Sequence, residues 1–429
     1  VKSFRDPVHN LIAFGRRDQL IVDLINTREV QRLRRIRQLG LSNIAYPGAE
    51  HSRFVHSLGV AHLMRRFLDS ETAQAGTFAD DLAEHRELAI AAALLHDVGH
   101  GPFSHALEAV TEVRHERFTT AIVRAPSSEV RQVLEAAQSG LAERVAQVIE
   151  RKYEPSRVIV KLLSSQLDMD RTDYLLRDAL MTGAGYGSYD VEWLLHVLRI
   201  GEVDDDLEVG LDLEKGKSIA EDYIMCRYYM YLHVYFHRTT RAAEVMIEKL
   251  LRRAQAVGAH LTGFDALNRL LDKSLRPDEA GVESYLELDD GMLWTAMRLW
   301  TRHPDFVLSD LATRLLNRRL FRGIDVACDE EEQALCQRLE RRAEAAGLPS
   351  EYYVIPDAAV SRAYKDEYVA PGSGGVQADG QPTERVYLFD RDGRPHELAQ
   401  VSFLVDAVRH RHVEVRRVLC PEEWAHERA

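Results

Sequence analysis

Apolar residues recur at three- and four-residue steps over 20–40, 54–68, 86–96, 103–112, 117–123, 129–149, 156–164, 170–180, 191–199 and 217–253. No sustained alternation interrupts them, and this period is that of an amphipathic helix, so the first part of the chain is predicted to be a helical bundle. Residues 200–214, with Asp204, Asp205 and Asp206 at their centre, read as a short hairpin inserted between helices. Helical spacing resumes over 263–273, 283–299 and 308–319, and a charged helix follows at 329–346. From Tyr352 the pattern changes to short strand-like runs at 353–355, 386–389, 401–403 and 413–415, with a Gly/Pro-rich loop from Pro371 to Pro382. The predicted class is mainly α. A bundle over 1–255 carries the β insertion, a helical extension covers 256–349, and a small α+β lobe covers 350–429.

The 429 residues, at about 150 per domain, allow two or three such units. Hydrophobic (45%) and charged (29%) fractions are those of a globular chain and exclude a disordered or fibrous one. A net charge of −13 argues against a surface that coats long nucleic acid. Residues 1–60 nevertheless hold ten Lys/Arg against five Asp/Glu, so basic groups are expected to converge on focused pockets suited to a small anion. Cys226, Cys328, Cys336 and Cys420 form no CxxC and no dense framework, which fits a reducing cytoplasm. No apolar run approaches the roughly 18 residues of a membrane span, and the opening residues Val1–Asp6 hold no signal-peptide core, so neither export nor membrane insertion is expected.

The densest chemistry lies in Ala91–His105, where an apolar helix ends in His96 and Asp97, followed by His100 and His105. Adjacent helical residues project about 100° apart, close enough for His96 and Asp97 to share one cation, and His100 returns to the His96 face one turn later. A lone histidine on an apolar helix is more often a hydrogen-bonded core residue. Three histidines and an aspartate in ten residues shift that balance toward a metal. Gly99, Gly101 and Pro102 then end the helix and let His105 turn toward the same space.

His56 in the first turn of another apolar helix, and carboxylates early in a third at 166–178, extend the pattern to His…His-Asp…Asp, which resembles the HD superfamily. That resemblance implies His56, His96, Asp97 and Asp170 as the ligands of one divalent ion per subunit. Mixed nitrogen and oxygen ligation with open positions suits Mg, Mn, Fe or Ni rather than structural zinc. Such a cation polarises a phosphoryl oxygen and lowers the pKa of bound water, so hydrolysis of a phosphate ester or anhydride is the expected chemistry.

Further motifs sharpen the resemblance. Phe4–His9, Gln31–Gly40, Tyr46–Ala49, Arg53–Val60, His96–His105 and Asp173–Asp178 together look like the deoxynucleoside triphosphate triphosphohydrolases, over about residues 2–245. No sterile-alpha-motif segment precedes them, so the shorter bacterial forms are the nearer comparison. The resemblance implies release of a deoxynucleoside and tripolyphosphate, with His115 acting near the leaving oxygen beside Glu108, and His100 close by. Read without it, His115 is an exposed residue in a charged stretch. By the same implication Arg53, His100, His105, Arg171 and Arg227 face phosphates, and Gln38, Leu39, Tyr174, Asp178 and Tyr235 frame the sugar and base. Spacing alone adds that Arg227, Tyr231, Tyr235 and Arg238 fall on one face of a single 217–250 helix, which is either core packing or a cavity wall.

Many such enzymes are homo-oligomers activated by a guanine nucleotide between subunits. At the matching positions stand Asn26, Gln31 and Arg34, with Lys2, Lys215 and Arg238 supplying basic groups and Trp193 and Leu213 where arginines are expected. An amide lacks the two carboxylate acceptors that read a guanine edge, so nucleotide regulation with altered guanine selectivity is expected, in a tetramer or dimer. Two features stay open or weak. The run Arg32, Arg34, Arg35, Arg37 reads as a solvated helix face, a nucleic-acid patch or an effector site; Thr182–Gly187 lacks GK[ST] and is a turn. The competing functions are an HD phosphodiesterase or nuclease on other nucleotides or single strands, and a non-catalytic nucleotide sensor.

Overall fold

The computed structural model describes residues 1–204, 206–362, 385–409 and 412–425. The chain opens with an antiparallel hairpin, β1 (Lys2–Asp6) against β2 (Asn10–Phe14), in register from Lys2↔Phe14 to Asp6↔Asn10. Ile12 and Phe14 point into the core while Leu11 faces out, the alternation of a half-buried strand. So brief an alternation does not mark a strand in the sequence.

At the centre, the Arg53–Leu68 helix packs against both the Arg86–Leu95 and Met169–Thr182 helices. Only Val55, Arg65 and Arg66 of it are more than slightly exposed, as expected of a helix that is apolar or small almost all round. Its partner Arg86–Leu95 buries the whole run Ala89–Leu95, where alanines both favour helix and let the backbones approach. The mainly α class holds, and the four cysteines are unpaired. Among the described residues no helix is long and apolar enough to cross a membrane.

Several expected helices are broken. The 20–40 pattern divides into Gln19–Asn26 and Arg28–Arg32 around an extended Thr27, then a short 3-10 turn at Leu33–Arg35. The 129–149 pattern divides at an extended Gln138 into Glu129–Ala137 and Leu141–Ile149. Most relevant to function, the single 217–250 helix is not formed. Lys217–Met230 runs into a π-helical turn at Tyr231–Tyr235, His237 is extended, and Arg238–Ala256 starts afresh with the His237 ring accepting from the Thr239 amide at 3.2 Å. The aromatic and β-branched run 228–236 is a weak helix former, and such π turns tend to sit at functional sites. Arg238 therefore leaves the face it was expected to share with Arg227, Tyr231 and Tyr235.

The remaining strands form two sheets. β3 (Leu198–Val203) and β4 (Asp206–Asp212) make the expected hairpin, but it continues through a parallel pairing of β4 with β7 (Tyr387–Phe389) to β8 (Pro395–Glu397). β9 (His412–Cys420) lies between β5 (Arg322–Asp325) and β6 (Ile355–Arg362). The last part of the chain is thus stitched to segments far upstream. No strand forms at 401–403: Val401 ends Leu398–Val401, Ser402 is extended between the two helices, and Phe403 opens Phe403–Arg409, the Ser402 hydroxyl accepting from the Val405 amide. The loop expected at 371–382 lies outside the described residues.

Candidate metal centre

Three helices deliver the four expected ligands to one point. His56 sits one turn into Arg53–Leu68, His96 and Asp97 follow the end of Arg86–Leu95, and Asp170 lies in the first turn of Met169–Thr182. His56 Nε2 is 3.0 Å from Asp170 Oδ1 and 3.8 Å from Asp97 Oδ2; His96 Nε2 is 3.4 Å from both Asp97 Oδ1 and Asp170 Oδ1. The helix carrying Asp170 is started by the Asp168 side chain, which accepts from the Arg171 amide at 2.7 Å.

Hydrogen bonding orients both imidazoles. His96 Nδ1 donates to the Ala93 carbonyl at 2.8 Å, which turns its buried Nε2, without a hydrogen-bond partner, toward the carboxylates. His56 Nδ1 donates to Asp173 Oδ2 at 2.9 Å, again turning Nε2 inward. Two imidazole nitrogens and two carboxylates facing one another in a buried space fit the divalent ion that their chemistry implies. Burial would lower the pKa of His56, but hydrogen bonds and charges from Asp170 and Asp173 outweigh it and raise it to about 10. Burial likewise opposes the ionised Asp170, yet His96 and His56 hold it well below the usual carboxylate range.

A proton on His56 therefore competes with a metal. At pH 7, loading the metal-free protein with Mn²⁺ is expected to release protons, and affinity is expected to rise with pH. Calorimetric titration in buffers of different ionisation enthalpy measures this; a binding heat independent of buffer contradicts it.

Beside the ligands lies a second group. His115, first residue of the His115–Arg124 helix, donates Nδ1–H to Glu108 Oε1 at 2.7 Å, Glu108 belonging to Ser104–Thr111. The His115 ring stacks on His100 at 3.6 Å and 19°. Ser104 Oγ gives its hydrogen to the Gly101 carbonyl at 3.1 Å, so His100 Nδ1 donates to Ser104 Oγ at 3.0 Å and its Nε2 faces Asp97 Oδ1 at 3.3 Å. Burial, with the charges of Arg53 and His115, pushes His100 well below the ordinary imidazole value and keeps it neutral. Ligand atoms of His56, His96 and Asp97, and those of Asp97, His100 and His115, each lie within 4.8 Å of one another, making Asp97 common to both groups. Gly99 permits this geometry: a Cβ there would come within 2.1 Å of the Thr119 amide nitrogen.

The other expected residues divide into groups. Arg53 Nη1 pairs with Asp97 Oδ2 at 2.5 Å and its Nη2 lies 3.5 Å from the Gln38 carbonyl, while Leu39 packs against the core. Arg171 Nε meets Asp168 at 3.3 Å, and Arg227 donates to Gln166. Tyr174 stands edge-on to His56 at 6.4 Å and to Tyr235 at 6.3 Å. Tyr235 donates to Asp178 Oδ2 at 2.8 Å, and His51, not anticipated, meets Asp178 Oδ1 at 2.7 Å. The His105 side chain is outside the described part.

On the outside, Lys2 donates to Asn26, Arg34 donates to Gln31 at 2.8 Å, and the Arg34 guanidinium lies 3.6 Å over Phe54. Lys215 and Arg238 have no contact with that cluster among the described residues; Arg238 faces Asp325 at 3.8 Å, and the Lys215 carbonyl accepts from Trp193.

The arginine run does not form one surface: Arg34 and Arg35 are exposed and Arg37 is half-buried, but Arg32 is not on that surface. Arg32 is fully buried, donating to the carbonyls of Leu288 (3.0 Å) and His100 (2.9 Å) with its guanidinium 5.1 Å from the Tyr285 ring. Tyr285 in turn donates to the Gly99 carbonyl at 2.6 Å. Arg35 pairs with Asp289 at 2.6 Å and Arg37 with Glu50 at 2.6 Å. Of these four, Arg34 is the one that joins the Lys2, Asn26 and Gln31 side of the molecule.

Sequence spacing also passed over Asp173 and Arg177, a buried i,i+4 ion pair joined at 2.8 Å. A buried acid and base one turn apart on a half-apolar helix is the signal that marks them. Gly59 makes the room: a Cβ on it would lie 1.8 Å from Asp173 Oδ1.

Residues 53–178 match the HD domain family. The chain is 40% identical to the uncharacterized protein YwfO of Bacillus subtilis over 408 residues, 95% of this chain and 89% of that one. It is 29% identical to the human deoxynucleoside triphosphate triphosphohydrolase SAMHD1 over 298 residues, 59% of this chain and 45% of that one. A crystal structure of a phosphohydrolase from Bacteroides thetaiotaomicron superposes with a TM-score of 0.79 at 28% identity, covering 98% of this chain and 99% of the other.

Proposed function

The chain belongs to the HD-domain phosphohydrolase family that includes YwfO and is related to the deoxynucleoside triphosphate triphosphohydrolases, and from that membership we propose that it cleaves deoxynucleoside triphosphates to deoxynucleoside and tripolyphosphate. The observation that carries this reading is the His115–Glu108 pair, stacked through His100 onto Asp97. A cation held by His56, His96, Asp97 and Asp170 would supply charge neutralisation at the phosphoryl group and activation of water.

The protein's own groups account for the rest. Glu108 accepts Nδ1–H of His115 and orients the ring, so the opposite nitrogen is placed to give a proton to the leaving 5′-oxygen as the bond from phosphorus to that oxygen breaks. His100, kept neutral, lies between that acid and Asp97. Arg53 stands against Asp97, where a guanidinium favours an incoming phosphate. Tyr174, Tyr235 and Asp178 offer a wall for sugar and base. Arg32 is drawn inside by the His100 carbonyl, and Arg35 and Arg37 are paired at the surface with Asp289 and Glu50, so the run is no open basic strip, which favours a small triphosphate over a nucleic-acid strand.

Product analysis tests the proposal. With Mg²⁺, Mn²⁺ or Fe²⁺, a panel of dNTPs, NTPs and oligonucleotides is expected to yield tripolyphosphate and deoxynucleoside from the dNTPs. Phosphomonoesters from oligonucleotides, with dNTPs untouched, would sink it. His115→Ala is expected to lower kcat by about 10²–10⁴ with a smaller effect on KM, the usual worth of a positioned acid; unchanged turnover removes the acid assignment. Asn26, its side-chain oxygen already engaged by Lys2, supports altered guanine selectivity in a homo-oligomer. The same panel, run with dNTPs singly and mixed, speaks against that if dGTP alone gives full activation.

A further inference from the structure

We propose that the N-terminal hairpin is the outer shell of the metal centre, and that His9 at its turn is a positioning residue that holds Asp173 against His56. The inference rests on the reading of His56 as a ligand to a divalent cation. The motif Phe4–His9 resembled the family's without any role attached to it, and the hairpin seats it on the inner face of Met169–Thr182.

Asp173 is the meeting point. Its Oδ1 receives His9 Nε2 at 2.7 Å and Arg177 Nη2 at 2.9 Å; its Oδ2 receives His56 Nδ1 at 2.9 Å and Arg177 Nε at 2.8 Å. A carboxylate has about four acceptor sites, and here four donors fill them. A saturated acceptor takes His56 only as an Nδ1–H donor, which leaves Nε2 bare toward the cation. The side chains of His9, Asp173 and Arg177 are at most 1% exposed, so water does not substitute for a missing donor.

The hairpin is built to present His9. Asp6 Oδ1 accepts from the amides of Val8 and His9, both at 2.9 Å, tightening the turn, and Asp6 Oδ2 accepts Arg177 Nη1 at 2.7 Å. Arg177 therefore bridges the hairpin to Asp173, and His9 closes the circuit. The His9 ring lies 5.3 Å from that of His62, which packs its other side. With Nε2 donating, His9 Nδ1 is buried without a hydrogen-bond partner, a cost met at this position to deliver the fourth donor to Asp173.

Binding of Co²⁺ to metal-free protein, followed by its visible absorption and by competition with a chelator, tests the role without relying on turnover. His9→Asn stays polar but its amide stops short of Asp173; His9→Leu fills the space with no donor; His9→Gln places an amide nitrogen where Nε2 sits. The Asn and Leu variants are expected to bind Co²⁺ about 10–100-fold more weakly with an altered absorption band, the size of effect known for partners behind a ligand. The Gln variant is expected to stay close to the wild type. If the folded Asn or Leu variant binds as tightly as the wild type, or Gln loses as much as they do, the proposal is overturned. A wild-type protein that takes up no Co²⁺ overturns instead the reading of the site on which the proposal rests.

Discussion

Replacing His96 and Asp97 together by alanine is expected to abolish both divalent-metal binding and phosphohydrolysis. The pair supplies one of two imidazoles and one of two carboxylates, and Asp97 is the carboxylate shared with His100 and His115. Metal stabilisation of a phosphoryl transition state is worth several kcal/mol, so turnover should fall by roughly a thousandfold or more. The loss is not confined to the metal. Arg53, whose Nη1 pairs with Asp97, is left buried without that partner, so the phosphate side of the site is disordered as well. Metal content by mass spectrometry and release of tripolyphosphate are the measurements; substantial turnover in the double variant removes the metal mechanism.

Arg177→Met is expected to destabilise the fold by about 3–5 kcal/mol at neutral pH, the usual consequence of removing one partner from a buried ion pair. Arg177 pairs with both Asp6 and Asp173, at 2.7 and 2.8 Å, and methionine would fill its space while leaving both carboxylates inside. The pH dependence carries a sign. Burial would raise Asp173, but the charge of Arg177, with hydrogen bonds from His56, His9 and Arg177, holds it well below the usual carboxylate range. A carboxyl depressed in the folded state contributes stability that is present above its unfolded pKa, about 4, and lost as pH falls through the folded value. Without Arg177 burial dominates and the carboxyl rises. The deficit of the variant should then be largest near pH 7.5 and shrink toward pH 4.5. Urea unfolding at the two pH values reads this out, and equal midpoints for variant and wild type at pH 7.5 would refute it.

What could be read from the chain follows how local each feature is. His96, Asp97 and His100 are close in sequence and on a helix, so their convergence needs only the helical repeat. His56 and Asp170 arrive on separate helices, and the family resemblance placed them where the structure now brings them together. The pairing of His115 with Glu108 is another short-range contact that a plain reading of a charged stretch conceals, because burial of one face is a tertiary property. Arg32 shows the converse. Four arginines at close spacing looked like one surface, yet a carbonyl cluster supplied by residues 98–100 and 288 draws one of them inside. The break at 231–237 was invisible to periodicity because aromatic side chains keep their spacing through a π turn while the backbone does not. The 401–403 run, apolar and short, fits strand and helix equally well, and only its packing decides.

The grip of Arg32 and Tyr285 on the carbonyls of Gly99 and His100 bears on modularity. The segment matching the HD domain family spans 53–178, but its 99–100 loop is fastened from residues 32 and 285 and its candidate ligand His56 is steadied through Asp173 from residue 9. The unit of inheritance and the unit of function differ in extent. Excised at its family boundaries, the segment would keep every ligand and lose the fastenings that aim them, so it is no transplantable cassette. Chimeras in this family should be cut outside the hairpin at one end and beyond Leu288 at the other.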